Sequence, residues 1–208
     1  MEKIDIPRRT VYRLSLYQRC LQKFRENGLQ TVSSEELASA AGVKSTQLRK
    51  DLGYVGQFGT RGLGYGVVTL CEALSGALGL SVLQPVVLVG VGNLGSALLR
   101  YSGFRREGFE IIAAFDSDTD HTKSTTEEMG VPVIHSDELA FYVREHGVKM
   151  AIIAVPESAG QGIANALIES GVEAILNFSP AVLSVPENVM VKHVDLAAEL
   201  GSLGFFTA

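Results

Sequence analysis

The stretch VVLVGVGNLG, residues 86–95, decides the fold of this chain of 208 residues. Its first four residues are apolar and predict a strand that is buried on both faces. The glycine-rich turn GVGNLG, 90–95, follows at once and opens a helical pattern over 96–102. Strand, G-x-G-x-x-G turn and helix in this order are typical of a dinucleotide-binding unit, because the glycines let the backbone approach a pyrophosphate.

An acidic residue follows this fingerprint at the usual spacing. The next predicted strand, 110–115, ends at Asp116, 21 positions after Gly95. A carboxylate there accepts hydrogen bonds from the ribose hydroxyls of adenosine. No Lys or Arg lies between Asp116 and Asp120, so a 2′-phosphate would be repelled, and the sequence predicts NAD(H) rather than NADP(H). Asp118 is a second candidate for this position, with a helix cap as its other interpretation.

Strands and helices alternate through the rest of the chain. Strands are predicted over 131–134, 150–155, 173–178 and 189–194, and helices over 137–146 and 163–169. This alternation is typical of a doubly wound parallel sheet of the Rossmann type, which binds ligands at the carboxyl ends of its strands. The predicted cofactor-binding residues are therefore Gly90, Val91, Gly92, Asn93, Leu94, Gly95, Tyr101, Asp116, Val155, Pro156, Asn177, Phe178 and Pro180. After the later strands a plain turn is an equal interpretation, and Tyr101 is also compatible with packing.

The charges are divided unevenly along the chain. Residues 1–66 hold 11 Lys and Arg against 6 Asp and Glu, a net of +5, whereas residues 67–208 hold 7 against 17, a net of −10. A basic segment joined to an acidic one indicates that contacts with nucleic-acid phosphates belong to the first segment.

The basic segment begins with two predicted helices. Apolar residues recur at helical spacing over 7–28, which indicates one amphipathic helix that ends at a glycine. Ser33 and Glu36 have the spacing of a capping box, so a second helix is expected to start there and run to about Ala41.

A glycine turn leads into a third helix over 46–52, capped by Ser45 or Thr46. Short helix, glycine turn and short helix form the helix-turn-helix pattern. Leu48 and Leu52 face inward, and the side chains left outside suit phosphates and purine edges, although a solvated helix face is the plain alternative. The predicted DNA-binding residues of this helix are Lys44, Ser45, Thr46, Gln47, Arg49 and Lys50.

Residues 54–67, YVGQFGTRGLGYGV, read as a short hairpin in which glycines alternate with larger residues. We interpret it as the wing of a winged helix-turn-helix, with an ordinary surface hairpin as the alternative. Its tip, 59–62, carries Arg61, which suits the minor groove of DNA. Tyr65 is predicted to contact DNA as well. The fold class is therefore α/β, with a winged helix-turn-helix domain over 1–80 and a Rossmann domain over 85–195.

The sequence offers no catalytic constellation. A dehydrogenase needs an acid or base beside the nicotinamide and a pocket for a second substrate. The four histidines form neither an H-E-x-x-H motif nor a Ser/His/Asp grouping. We therefore expect no catalytic residues and no metal site, and we predict that the protein is not an enzyme.

Cysteine use and hydropathy favour a cytoplasmic protein. Cys20 and Cys71 lie 51 positions apart in apolar helical patterns and form no C-x-x-C pair, which favours packing over reactivity. No stretch approaches the roughly 18 apolar residues that span a membrane, and the start lacks the apolar core of a signal peptide. We expect no contact with a membrane.

Five segments stand out when the motifs are taken together: ELASAAGV (36–43), QLRKDLGYVGQFGTRGLGYGV (47–67), GVGNLG (90–95), ILNFSPAVLSVPENV (175–189) and HVDLAAELGSLGFF (193–206). The combination resembles the Rex family of bacterial redox-sensing transcriptional repressors. The resemblance covers nearly the whole chain, and its most specific part is RKDLGYVGQFGTRGLGYGV, from Arg49 onward.

The resemblance implies a function and an assembly. It implies a homodimer that binds double-stranded, palindromic operator DNA when NADH is scarce and releases it when the NADH/NAD⁺ ratio rises. It also implies that the C-terminal segment, 196–208, forms a helix that is exchanged between subunits. Arg13, Tyr101 and Asp195 resemble the family residues that link the DNA-binding domain, the cofactor site and the exchanged helix.

Two other classes of protein fit parts of the pattern. One is a small NAD-dependent oxidoreductase whose N-terminal helices serve only for dimerisation. The other is a DNA-binding sensor that reacts through Cys20 or Cys71, or that binds coenzyme A in a similar Rossmann site.

Overall fold

The computed structural model describes residues 6–60, 62–119 and 130–207. The chain divides into two compact units, Met1–Val82 and Leu83–Ala208, and the division falls inside the segment 81–85. Each unit has its own hydrophobic core.

The first unit has the predicted order of helices followed by a hairpin. Its helices within the described ranges are α1 (Arg8–Glu26), α2 (Ser34–Ala40), α3 (Ser45–Leu52) and α4 (Val67–Ala77). Its strands are β1 (Thr31–Val32), β2 (Gly59–Thr60) and β3 (Gly64–Gly66), which form one antiparallel sheet in the order β1-β3-β2.

The wing has one strand more than the sequence indicated. Val32 of β1 pairs with Tyr65 of β3, and Gly59 of β2 pairs with the same residue on its other side. A strand of two residues is too short to show the alternation from which strands are predicted, so β1 was missed.

The capping box is confirmed, but the start of α3 differs from the prediction. The amide of Glu36 donates to the hydroxyl of Ser33 at 3.1 Å, and the Glu36 carboxylate accepts from the Ser33 amide at 2.8 Å. In α3 the N-cap residue is Lys44, which makes no side-chain cap bond, so the prediction that Ser45 or Thr46 caps this helix is wrong. Both are already helical, because the turn out of α2 is short.

One core holds the first unit together. Leu14, Tyr17 and Leu21 lie on one face of α1 and are fully buried, together with Leu48 of α3 and Leu70 of α4. The helix-turn-helix is thereby packed on a scaffold formed by α1 and α4.

The second unit is a doubly wound parallel sheet, as predicted. Its strands are β4 (Gln84–Val89), β5 (Phe109–Asp116), β6 (Val133–His135), β7 (Met150–Ile153), β8 (Ala174–Asn177) and β9 (Met190–His193). Every pairing is parallel, and the order is β6-β5-β4-β7-β8-β9. The helices in its described part are α5 (Asn93–Leu99), α6 (Gly103–Arg106), α7 (Leu139–Glu145), α8 (Glu157–Glu169) and α9 (Leu196–Gly204), with a 3₁₀ turn at Ser136–Glu138.

The central strand is buried on both faces. Val87 and Val89 belong to one core cluster, whereas Val86 and Leu88 belong to a second. Successive side chains of a strand point to opposite faces, so the sheet has a core on each side.

Two helices begin earlier than predicted. α5 starts at Asn93 rather than at 96, directly after the N-cap residue Gly92. α8 starts at Glu157 rather than at 163, since Gly160 and Gly162 interrupt the apolar pattern in its first turns. The short helix α6 was not predicted.

Replacing Gly64 with alanine tests the wing. Gly64 has a φ of 85°, and a Cβ there would overlap the main-chain oxygen of Val32. We expect Gly64→Ala to destabilise the first unit by roughly 3 kcal/mol, because backbone strain adds to the displacement of β1. The measurement is urea unfolding of the full chain followed by circular dichroism.

Gly62→Ala is the matched control. Gly62 has a φ of 83° but no atom within 4 Å of an added Cβ, so only the strain of about 1 kcal/mol is expected. Equal losses for the two variants would show that β1 does not constrain the wing.

Candidate functional site

A cleft of about 640 Å³ lies at the carboxyl ends of the central strands. β4 is bonded to β5 on one side and to β7 on the other, so the chain changes direction across the sheet at this point. The amide of Gly90 donates to the carbonyl of Phe115 at 2.8 Å, and the amide of Ala154 donates to the carbonyl of Val89 at 2.8 Å. Doubly wound sheets bind their ligands at such a switch point.

The three fingerprint glycines have different surroundings. Gly90 has a φ of 97°, and a Cβ there would lie 2.5 Å from the carbonyl oxygen of Ala154. A Cβ at Gly95 would overlap the carbonyl oxygen of Gly90, so α5 can approach β4 only without a side chain. Gly92 lines the cleft, and an added Cβ would have no atom within 4 Å. The protein itself therefore does not require a glycine at 92, whereas the phosphates of a ligand close to the backbone would.

Asp116 borders the same cleft. Its Oδ2 accepts from the amide of Val91 at 2.6 Å, and its Oδ1 accepts from the amide of Asp118 at 3.0 Å. The carboxylate is thus fixed beside the glycine turn, and each oxygen can still accept from a further donor such as a ribose hydroxyl. Asp118 contributes its backbone amide to this arrangement.

The cleft contains predicted and unpredicted residues. The predicted residues that line it are Gly90, Gly92, Leu94, Asp116, Val155, Pro156 and Phe178. The lining residues that sequence reasoning missed are Val89, Phe115, Ser117, Ser136, Ala154, Ala159 and Ile163. Ser117 and Ser136 follow directly on β5 and β6, so their positions after strand ends could have identified them. Ala159 and Ile163 lie on α8, whose early start was not predicted.

Six predicted cofactor residues lie outside the lining of the cleft: Val91, Asn93, Gly95, Tyr101, Asn177 and Pro180. Val91 is buried in the core and acts through its amide on Asp116. Gly95 is buried on the side of α5 that packs against β4, and Asn93 and Pro180 are exposed but do not line the cleft. The spacing of a motif shows where the backbone turns, but it does not show which side chains face the ligand.

Tyr101 does not line the cleft of the single chain either. Its ring covers Gly103, where a Cβ would overlap it, and packs edge-on against Phe104 with ring centroids 5.1 Å apart. Within one chain the ring packs on this turn, but 51% of the side chain stays exposed, so its contact with the cofactor stays a prediction.

Asn177 shapes the turn after β8 instead of facing the cleft. It is fully buried, and its Nδ2 donates to the carbonyls of Ser179 at 3.1 Å and Ala181 at 3.0 Å. Its Oδ1 accepts from the amide of Ser179 at 3.0 Å. The prediction of Asn177 as a cofactor ligand is corrected, whereas its neighbour Phe178 does line the cleft.

The described part of the cleft contains no histidine, lysine, tyrosine or cysteine side chain. His135, His146 and His193 lie outside the lining, and His121 lies outside the described residues. In the described ranges there is no group of three His, Cys, Asp or Glu side chains that could hold a metal ion. No helix described in the structure is long and apolar enough to cross a membrane.

The helix-turn-helix presents α3 on the surface of the first unit. Gly42 turns the chain with a φ of 68°, and the amide of Val43 donates back to the carbonyl of Ala38 at 2.9 Å. Leu48 and Leu52 point into the core, as predicted. On the outer side the exposed residues are Lys44, Thr46, Arg49 and Lys50, with Ser45 and Gln47 half-buried.

A buried carboxylate ties α3 to α1. Asp51 is 1% exposed, and its two oxygens accept from Arg13 Nε at 2.6 Å and Nη2 at 2.7 Å. Tyr17 donates its hydroxyl at 2.8 Å, and Gln47 donates Nε2 at 2.9 Å. Thr10 donates to the same carboxylate at 3.3 Å. We call these five residues the Asp51 network.

The Asp51 network holds its carboxylate in the ionised form. Burial raises the pKa of Asp51, but the hydrogen bonds from Arg13, Tyr17 and Gln47 outweigh burial, so the pKa lies below its usual value. Burial and the contact with Asp51 raise the pKa of Tyr17, which therefore stays a donor. Sequence reasoning missed this network, because a buried Asp at a polar position of a short helix gives no periodic signal.

Three predicted DNA-binding residues differ from the expected free, outward side chains. Arg49 donates from Nη1 to the hydroxyl of Ser34 at 2.9 Å and pairs with Glu35 at 3.4 Å, and Gln47 is held by Asp51. Tyr65 is only 7% exposed and packs in the core, so its side chain is not free on the surface, and its contact with DNA stays a prediction. Side chains of a strand alternate between its two faces, and Tyr65 of β3 lies on the inner face. Arg61 lies outside the described residues.

The three residues of the predicted link have separate contacts in the single chain. Arg13 is bonded to Asp51, and the ring of Tyr101 covers Gly103. Asp195 is the N-cap residue of α9 and accepts from the amides of Ala197 at 2.9 Å and Ala198 at 3.0 Å. Their joint function as a link stays a prediction.

The two cysteines belong to the core of the first unit. Cys71 is buried, and burial raises the pKa of its thiol, which disfavours the reactive thiolate. Cys20 is half-buried and packs against the same core. The arrangement favours packing over thiol-based sensing.

Comparison with known proteins matches each unit separately. Residues 5–53 match a family described as "Putative DNA-binding protein N-terminus". Residues 83–181 match a family described as "CoA binding domain".

Relatives also match the chain as a whole. The redox-sensing transcriptional repressor Rex of Streptomyces coelicolor is 48% identical over 200 residues, which are 96% of this chain and 77% of that protein. The repressor of the same name from Pelotomaculum thermopropionicum is 44% identical over 205 residues, 99% of this chain and 95% of that protein. This chain belongs to the Rex family. It is a redox-sensing transcriptional repressor and not an enzyme, as predicted.

Solved structures agree with the Rex assignment. RSP, described as a Rex-family repressor, has a TM-score of 0.83 at 29% identity, covering 97% of this chain and 93% of that one. RSP in complex with β-NAD⁺ and operator DNA has a TM-score of 0.86 at 30% identity, covering 97% of this chain and 92% of that one. The predicted fold class is therefore confirmed.

Asp51→Asn tests the Asp51 network. Because the folded-state pKa is lowered, the stabilisation by Asp51 is complete above the unfolded value of about 3.9 and is lost as the pH falls through the folded value. We expect the variant to lose about 3 kcal/mol at neutral pH, since Arg13 keeps a charge without its partner. Below about pH 4 its stability should fall less steeply than that of the wild type.

Urea unfolding of the full chain at neutral and acidic pH measures both effects. The control is Lys50→Ala on the exposed side of α3, which we expect to stay within about 0.5 kcal/mol of the wild type. The same acid dependence in wild type and Asp51→Asn would contradict the assignment.

Proposed function

We propose that this Rex-family protein binds operator DNA through α3 and NAD(H) in the cleft, and that it leaves the operator when the NADH/NAD⁺ ratio rises. The observation that carries the proposal is the edge of the cleft where Asp116 is held against the amide of Val91, beside the open side of Gly92. Because the same chain carries a helix-turn-helix, nucleotide binding in the cleft can regulate DNA binding.

The residues of the cleft favour NAD(H) over related nucleotides. Asp116 suits ribose hydroxyls and repels a 2′-phosphate, which disfavours NADP(H). The family description of the second unit names coenzyme A, so that ligand is the specific competitor. RSP has been solved with β-NAD⁺ and with β-NADH, and this supports NAD(H).

The apolar part of the cleft supports a preference for the reduced cofactor. Val155, Ile163 and Phe178 line the cleft together with the polar residues Asp116, Ser117 and Ser136. The oxidised nicotinamide is a cation and the reduced one is neutral. Burying the cation among apolar side chains costs solvation free energy that burying NADH does not, and the exchanged Phe205 would add to this surface.

The outer side of α3 supports DNA reading. Lys44, Thr46 and Lys50 are exposed, and Arg49 is held by Ser34 and Glu35 of α2. An arginine that is held in position loses less conformational freedom when it binds a base or a phosphate. We propose that these residues, with Ser45, Gln47 and Arg61, contact the operator.

The surface of α9 supports a homodimer. Leu196, Leu200 and Leu203 are 60–69% exposed, and Phe205 and Phe206 are 81–82% exposed. This apolar helix needs a partner surface, and we propose that it is exchanged with a second copy of the chain, with Arg13, Tyr101 and Asp195 linking the units across the dimer. A dimer with two-fold symmetry binds the two half-sites of a palindromic operator. We propose that the protein acts in the cytoplasm.

A linkage experiment tests the proposed function. Operator DNA is titrated with the protein alone, with NADH, with NAD⁺ and with coenzyme A. We expect NADH to weaken operator binding at least about tenfold, and operator DNA to weaken NADH binding by the same factor, because linkage is reciprocal. Identical NADH affinities with and without operator would refute the proposal, and a response to coenzyme A alone would reassign the ligand.

Leu200→Asp tests the exchanged helix. The new charge lies in the middle of the exposed apolar face of α9. We therefore expect the dissociation constant of the dimer to increase at least about a hundredfold. Sedimentation analysis measures the assembly, and Glu199→Gln on the same helix is the control. A dimer of unchanged affinity in Leu200→Asp would exclude α9 from the interface.

A further inference from the structure

Asn177 lies between the nucleotide cleft and the start of α9. Its neighbour Phe178 lines the cleft, and the Phe178 amide donates to the carbonyl of Ile153 at 2.8 Å. The Asn177 carbonyl accepts from the amide of Val194 at 2.8 Å, one residue before Asp195, the N-cap of α9. Only a few bonds therefore separate the cleft from this exposed helix.

We propose that Asn177 and His193 form a clamp that positions Phe178 relative to the start of α9 and so carries the cofactor signal to that helix. Asn177 and His193 are partners in the parallel register of β8 and β9. Asn177 Nδ2 and His193 Nδ1 are 3.1 Å apart. The inference rests on the proposed function, since it concerns how NADH binding affects operator binding.

The hydrogen bonds define the direction of each donor in the clamp. Two carbonyl oxygens, of Ser179 and Ala181, accept from Asn177 Nδ2, and the Ser179 amide donates to Asn177 Oδ1, so the amide orientation is settled. The NH₂ group of Asn177 has two protons for three neighbours, the two carbonyls and His193 Nδ1, so His193 Nδ1 accepts a proton that it shares with one of the carbonyls. The imidazole then carries its proton on Nε2.

The rest of the turn is held from the other side, by α8. A Cβ on Gly160 would lie 2.7 Å from the Ala181 Cβ, so helix and turn are in close contact. Gln161 accepts from the Ser184 amide at 2.8 Å and donates to its carbonyl at 3.0 Å. These contacts hold the far end of the turn and lie outside the path that runs from Phe178 through Asn177 to β9.

A substitution at His193 breaks the clamp without removing a buried side chain. Its side chain is exposed, whereas Asn177 is fully buried, so His193→Ala removes the acceptor without disturbing the core. The coupling ratio is the operator Kd with NADH divided by the operator Kd without it. We expect His193→Ala to lower this ratio about three- to tenfold, the range of one hydrogen bond.

The separate affinities distinguish coupling from simple damage. Operator affinity without NADH, and NADH affinity without operator, should stay within about twofold of the wild type. His193→Asn, which keeps an acceptor oxygen, should recover part of the coupling ratio. Gln161→Ala loosens the same turn at its other end and should leave the ratio near the wild-type value.

The outcomes separate this inference from the proposed function. A wild type whose operator binding ignores NADH would overturn the proposed function and this inference with it. A wild type that responds, together with an unchanged ratio in His193→Ala or an equal loss in Gln161→Ala, would overturn the clamp alone.

Discussion

Three main-chain segments meet at Gly90, and the second unit depends on this contact. The end of β4, the residue after β7 and the first turn of α5 approach each other so closely that no side chain fits at Gly90 or Gly95. The cleft exists because these segments are close, and Asp116 can reach the Val91 amide for the same reason. A single added methyl group at this point would move the helix away from the sheet and change the shape of the site.

The first unit is organised by a charge instead of by close packing alone. Asp51 is buried, ionised and bonded to three side chains of α1 and to Gln47 of α3. Hydrophobic contacts allow small sliding motions between helices, whereas a carboxylate with several donors permits one arrangement. The bonds between α1 and Asp51 therefore fix the orientation of α3 relative to α1.

The sequence was sufficient where a local pattern has one physical solution. The fingerprint, the capping box and the alternating strands led to both domains, and the family resemblance led to the function. It was insufficient where tertiary contacts decide, as at Tyr65 and Asn177, whose polar groups suggested ligands but whose side chains are buried. The Asp51 network was missed because its members lie up to 41 positions apart, and sequence patterns report only near neighbours.

The uneven charge affects how such a repressor searches for its site. Residues 67–208 carry a net charge of −10, and residues 1–66 a net of +5. Any DNA beyond the footprint of the basic segment repels the rest of the molecule, so encounters with random sequence are brief. Fewer copies are then held on the large excess of non-operator DNA, and a small population of repressor suffices to keep an operator occupied.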